Sequence, residues 1–229
     1  MIPQNIIPIH WFGDRKAYEK SALRVVTVGL NPSDREFRKN DSQPFTAGLR
    51  FPLYQKENPN TLASALNAYF EENPYRSWFN MFESILNGMG ASYYSDKGIS
   101  NRAIHTDICS PWATDPTWGK LLEEERTALC KEGNVLWEKL MVELKPNILI
   151  ASIDERNFAS MVDINTRRLL HKYTQKKDGS VRKRKVEVMM YDFNGIPFIN
   201  GTAQIRPFGG LCEEERIKLG EEIKKTLFL

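Results

Sequence analysis

Four continuous apolar runs punctuate the chain, and between them apolar positions recur every three or four residues. The runs are LRVVTVG at 23–29, RAIHTDI at 102–108, NILIASI at 147–153 and VEVMMYDF at 186–193, the last followed closely by IPFIN at 196–200. Runs without polar alternation are what strands covered on both faces require. TLASALNAYFEE and YRSWFNMFESILNGMG, ahead of the second run, carry the helical period. The stretch from Pro116 to Leu144 carries it most strongly. Asp115 stands where it can cap the N-terminus, and Pro116 suits a first turn. Leu122, Leu129, Leu136, Leu140 and Leu144 share one face, and Lys145-Pro146 ends the helix. A last helix, EEERIKLGEEIKKTL, follows Gly209-Gly210, with glutamates early and lysines late, as the helix dipole favours.

Strands alternating with helices predict an α/β fold, a three-layer α/β/α sandwich around a mostly parallel central sheet. Ligands of such sheets bind beyond the carboxyl ends of the strands. The loops after Val28, Thr106, Ser152 and Asn200 are therefore the first places to look for chemistry.

The 229 residues, 41% hydrophobic and 11% aromatic, suit a single domain with a full core and argue against disorder. No apolar run approaches the roughly 20 residues that a membrane helix needs. The start, MIPQNIIPIHWFGDRK, lacks the basic end and apolar centre of a signal peptide. A soluble cytoplasmic monomer, with no membrane partner, is the expectation. Cys109, Cys130 and Cys212 are few, odd in number and far apart, without a C-x-x-C pair. They are expected as buried thiols in a reducing compartment, and they signal neither disulfide, metal nor cofactor.

The net charge of +3 identifies no partner, but its distribution is uneven. HKYTQKKDGSVRKRK, at 171–185, sets Lys172, Lys176, Lys177, Arg182, Lys183, Arg184 and Lys185 against the single acid Asp178. Asp178-Gly179 is a turn signal, so the segment reads as a basic β-ribbon inserted at about 171–190. Such a ribbon is either a solvated hairpin or a seat for a phosphate backbone. The acids collect at 123–125 and 213–222, a segregation that favours an electrostatic face.

Candidate chemistry gathers at the strand ends. Gly29 permits a tight turn, and Pro32 forces Asn31 to be extended, so the Asn31 amide is held stiffly at the sheet edge. It either closes a strand or positions a water or a carbonyl. QPFTAGLRFPLY, at 43–54, holds Phe45, Phe51 and Tyr54 between Pro44, Gly48 and Pro52. These rings either complete the core or offer a face to a planar ligand. His105 and Asp107 alternate on one face of the second strand. Asp107 is a cap or a hydrogen-bond acceptor, and His105 a structural residue or a titrating one. In NGTAQIRPFGGL, at 200–211, Arg206 and an exposed Phe208 could touch phosphates or wedge into a base stack, unless the loop is a plain connection.

Taken in order, these stretches resemble the uracil-DNA glycosylase superfamily. VVTVGLNPS is similar to the first motif of its Asn-containing branch, Gly-hydrophobic-Asn-Pro after the first strand. AIHTDICSPWATDPT, the long helix, LKP and NILIASI resemble the family's middle, and INGTAQIRPFGGL falls where its second motif stands. The likeness spans about residues 24 to 227. It implies a DNA glycosylase that binds duplex or single-stranded DNA, flips out a base and hydrolyses its N-glycosidic bond. Asn31 matches the water-positioning residue. Phe45, or next Phe51, would stack on the base beside Gly29, and the Gln204–Phe208 loop would contact phosphates and fill the vacated stack. Arg182, Lys183 and Arg184 would add DNA contacts.

The chain departs from the pattern twice. The family's His-Pro-Ser is absent, and Gln204 or Arg206 stands near its histidine, which leaves leaving-group stabilisation in doubt. Where many members read the base with Asn, this chain has Asp107. A carboxylate only accepts hydrogen bonds, which suits the exocyclic amine of a cytosine derivative better than uracil. A distant branch of the superfamily acts against phages, removing glucosylated hydroxymethylcytosine from their DNA, a role these departures would fit. The alternatives are a uracil or mismatch glycosylase of repair, a silent DNA-binding or sensor protein of the same fold, and a generic nucleotide hydrolase.

Overall fold

A computed structural model describes residues 7–40 and 45–228. Its helices are α1 (Arg15–Glu19), α2 (Thr61–Asn67), α3 (Arg76–Met89), α4 (Glu123–Leu144) and α5 (Glu213–Phe228). The strands are β1 (Val25–Gly29), β2 (Ala91–Ser92), β3 (Asn101–Arg102), β4 (Ile104–Asp107), β5 (Ile148–Ala151), β6 (Asp163–Gln175), β7 (Val181–Phe193) and β8 (Ile196–Gly201). Six of them form one sheet in the order β4-β1-β5-β8-β7-β6. The first four run parallel, and all of β1, β4 and β5 is buried, as their unbroken apolar runs require. The fold is therefore α/β with a mixed, mostly parallel sheet. The antiparallel part comes from a tight turn at Asn194-Gly195, where both residues have positive φ, 52° and 84°. That pair closes a two-residue hairpin between β7 and β8.

Each sheet face has its own core. On one, α3 and α5 pack Phe79, Phe82, Leu86, Leu219 and Ile223 with the rings of Phe12, Phe51 and Tyr69. On the other, Trp137, Met141 and Leu144 of α4 meet Val26, Val28, Leu149 and Phe198. Among the described residues no helix is long and apolar enough to cross a membrane.

Two expectations for α4 change. The helix starts at Glu123, not Pro116, and Trp118–Lys120 makes a separate 3-10 turn. The start is set by Glu125, whose carboxylate accepts from the Leu122 N–H at 2.9 Å. The buried stripe is Gly133, Trp137, Met141 and Leu144, while Leu122 and Leu136 are 66% and 45% exposed. Trp137 decides the rotation: its large ring fills the core and its Nε1–H donates to Thr106 Oγ1 at 2.9 Å. Gly133 lets the helix abut the main chain of Cys109, where any Cβ would overlap the carbonyl.

The ribbon is longer than expected, 163–193, because β6 joins it. Val188 pairs with Gly201, the last residue of β8. Residues 181–187 therefore overhang the carboxyl edge of the sheet by about 20 Å at roughly 3.3 Å per residue.

Candidate functional site at the carboxyl edge

Parallel pairing brings β1 and β4 to the same edge, with Gly29 opposite Asp107. A side chain at Gly29 would overlap Asp107 Oδ1 and come within 3.0 Å of His105 Nε2, so glycine is what admits this carboxylate beside the β1 exit. Asp107 is 8% exposed and His105 is buried. His105 Nε2 lies 3.5 Å from Asp107 Oδ1, and Nδ1 lies 2.8 Å from Thr27 Oγ1. Thr27 in turn hydrogen-bonds the Tyr93 hydroxyl.

Asn31 stands two residues beyond Gly29. Its Nδ2 donates to Pro32 O and Thr114 Oγ1, both at 3.0 Å, and to Trp112 O at 3.4 Å. The amide hydrogens are thus committed to Pro32 and to the loop that follows β4, and Oδ1 is left as the acceptor. The two loops dock firmly. The N–H groups of Ile108 and Cys109 donate to Gly29 O and Leu30 O, at 3.0 and 2.9 Å. Arg38 bridges Asp34 on one side and Asp115 on the other, the latter at 2.7 Å. Asp115 is therefore a cross-loop anion rather than a helix cap. An amide oxygen and a carboxylate, fixed on adjacent strand ends, can hold a water and accept from a ligand donor.

Sequence reasoning missed Glu36. It lies in the short 3-10 turn Asp34–Phe37, is buried, and receives the Tyr69 hydroxyl at 3.5 Å. Burial, with the negative charge of Asp107 adding to it, pushes its carboxyl up to about 8. Nothing in a short polar turn marks this residue as buried, since its cover comes from distant segments. A pH prediction follows. Between the ordinary value of 4.5 and about 8, the unfolded chain ionises Glu36 while the folded chain keeps it protonated. Stability from this group is full below that window and is lost as pH rises through it. Glu36→Gln should therefore gain on the wild type by up to about 1.4 kcal/mol per pH unit across it. Thermal melts from pH 5 to 9 check this, and parallel curves would refute it.

The aromatic expectations divide. Phe51 is core, with its ring centroid 5.7 Å from Phe37 and 5.4 Å from Tyr69, and cannot stack on a ligand. Phe45 is half-buried against Phe37 at 4.8 Å, which leaves part of its ring open. Gln43 and Pro44 lie outside the described residues. Phe208 is not exposed: it is fully buried, with its N–H on Ser152 Oγ at 3.1 Å and its ring over Gly201. Burying a phenyl ring is worth about 2 kcal/mol, which is comparable with the cost of its strained φ of 50° and offsets it. The exposed apolar residue of that loop is Ile205, 100% accessible. Gln204 is exposed and folds back over Gly209 and Gly210.

The basic ribbon is also partly spent. Arg182 is a clamp, not a surface cation: it bonds Gly210 O, Glu215 and, at 2.8 Å, Gln175 O. Lys177 pairs with Glu214 at 2.5 Å, and Lys172 with Glu187 at 2.7 Å. Of the acids that look segregated along the chain, Glu214 and Glu215 are thus folded onto the ribbon by the first turn of α5. Among the described residues Lys183, Arg184, Lys185 and Arg206 have no ion-pair partner. These four, with Gln204 and Ile205, line a cleft of 660 Å³. The cleft adjoins the β8 end, two strands from β1, so about 10 Å along the edge at roughly 4.8 Å per strand.

The cysteines also differ from expectation, since only Cys109 is buried, Cys130 is half-buried and Cys212 is exposed. A hydrogen bond between Cys109 and Cys130 raises the first thiol and lowers the second.

No family model matches the chain, and no curated protein matches it.

Proposed function

We propose that this protein is a DNA glycosylase with a uracil-DNA glycosylase-like fold, acting on a base flipped out of DNA, with a cytosine derivative preferred to uracil. The observation that carries the reading is the Gly29–Asp107 pairing, which brings Asp107 and the loop that holds Asn31 to the same edge of the sheet. The sheet, with helices on both faces, is compatible with that sandwich. In this reading Asp107 accepts from the exocyclic amine of the base, and Phe45 offers its open ring face. Asn31 Oδ1 holds a water against the sugar carbon; the water oxygen bonds to that carbon as the carbon–nitrogen bond breaks, and the base leaves with the bonding pair and takes up the proton the water gives up. An amide orients water but removes a proton poorly, so the rate depends on the leaving base. The exposed Gln204 amide is the group in the loop suited to stabilise it.

Lys183, Arg184, Lys185 and Arg206 follow the phosphate backbone, and Ile205, rather than Phe208, fills the space the base leaves. Glucosylated hydroxymethylcytosine of phage DNA, and hence antiviral defence in the cytoplasm, is the substrate and setting this reading takes. The test is alkali-sensitive strand cleavage after incubation with DNA carrying that base or uracil. Breaks only at uracil would support a repair enzyme; binding without breaks, a silent DNA-binding protein; release from free nucleosides, a nucleotide hydrolase.

The cleft makes a separate prediction. Charge reversal at Lys183 and Arg184 should lower the slope of log affinity against log salt by about 2, near 0.9 per phosphate contact. An unchanged slope would make the ribbon a solvated hairpin. Arg182→Glu should instead lower the melting temperature, because it breaks the clamp on α5.

A further inference from the structure

The polar chain behind Asp107 has no solvent-facing purpose, since Thr27, Tyr93 and His105 are all buried. With a neutral imidazole its hydrogen bonds take one consistent direction. A carboxylate only accepts, so Nε2 must carry the proton that faces Asp107 Oδ1. Nδ1 of the neutral ring is then an acceptor, so the Thr27 hydroxyl must donate to it across 2.8 Å. With its one hydrogen spent, Thr27 Oγ1 receives the Tyr93 hydroxyl. The imidazole plane is held from outside as well. Trp78 and Phe79 meet it edge-on, with ring centroids 5.0 and 5.2 Å away, and Phe12 packs at 5.7 Å. The contact to Asp107, 3.5 Å, is longer than an ideal hydrogen bond. Among the described residues no donor lies on Asp107 Oδ2.

We propose that His105, fixed as its Nε2–H tautomer by Thr27 and Tyr93, is a positioning residue that engages Asp107 Oδ1 and leaves Oδ2 as an acceptor for a ligand amino group. The class of ligand is a base whose pairing edge presents an N–H₂, the 4-aminopyrimidine type. This assignment of ligand rests on the glycosylase reading; the tautomer does not. Oδ1 is the oxygen that faces both the ring and Gly29.

Two measurements test this. Side-chain ¹H–¹⁵N correlation spectra of the free protein should show His105 as the neutral Nε2–H form. The Nδ1–H tautomer, or the imidazolium, would overturn the proposal whatever the enzyme does. The second compares binding of single-stranded oligonucleotides containing 5-hydroxymethylcytosine or uracil. His105→Phe fills the ring volume without a donor, and should lose a preference of about tenfold to a hundredfold for the amino base. His105→Gln keeps a donor near the Nε2 position and should retain most of it. Equal melting temperatures of the two variants would place the difference in the donor, not the fold. A preference that survives in His105→Phe would overturn the positioning role, and a wild type without preference would overturn the ligand class while leaving the tautomer result intact.

Discussion

Asn31→Ala is expected to slow base release by about 10²- to 10⁴-fold, the range for a group that orients or relays a proton at the reacting centre. The fold should survive. The amide makes three hydrogen bonds to the Trp112–Thr114 loop and its own Pro32. Net costs near 1 kcal/mol per bond, partly recovered by water, leave a loosened loop rather than an unfolded chain. Asn31→Asp gives a sharper result. The acid would be a stronger base than the amide, but it would put oxygen where Nδ2 now donates to Pro32 O and Trp112 O. Two carbonyls facing a carboxylate repel it, so the variant should be no faster than Asn31→Ala. Single-turnover rates on one DNA, with melting temperatures alongside, check both. A faster Asn31→Asp enzyme would mean that the amide donors do not set the geometry.

Asp107→Asn is expected to reverse the base preference. The new amide can give its oxygen to the His105 Nε2–H and turn its NH₂ toward the base. A donor there meets the uracil O4 and opposes the cytosine amine. One well-made contact is worth about 1–3 kcal/mol of discrimination, so the ratio of kcat/KM for the cytosine derivative over uracil should fall by at least about tenfold. The same change has an effect at a distance. Burial is the larger cause of the high Glu36 value and the charge of Asp107 the second. Without that charge the window in which Glu36 costs stability should narrow from its alkaline end. A variant that keeps the cytosine preference would show that Asp107 is a structural residue.

The parts of the fold legible in the sequence are those whose physics is local. β1, β4, β5 and β8 show as apolar runs because they are covered on both sides, and α3 ends where Gly90 adopts φ 78°. Residues 163–170 of β6 were not legible, since an exposed edge strand with Arg and Thr has no apolar signature. The start of α4 was misplaced because Asp115-Pro116 has the composition of a helix entry, while Arg38, brought by another loop, recruits Asp115. The candidate site follows the same division. Asn31, Asp107 and Gly29 could be placed by the rule that strand ends carry function. Phe208 and Arg182 could not, because a loop aromatic and a ribbon arginine look exposed until α5 and Gly201 cover them. Ile205 and Glu36 exchange environments in the opposite sense: an apolar side chain in solvent and a carboxyl in the core, both decided by tertiary packing.

The proposed activity stands or falls on whether the Asn31–Asp107 edge cuts a base from DNA. The most direct measurement is mass-spectrometric identification of free base after incubation with DNA containing glucosylated hydroxymethylcytosine, hydroxymethylcytosine, cytosine or uracil. Release of a modified cytosine, with an abasic site in the same strand, is expected from the wild type and not from Asn31→Ala. DNA that is bound but yields no free base from any of the four would contradict it.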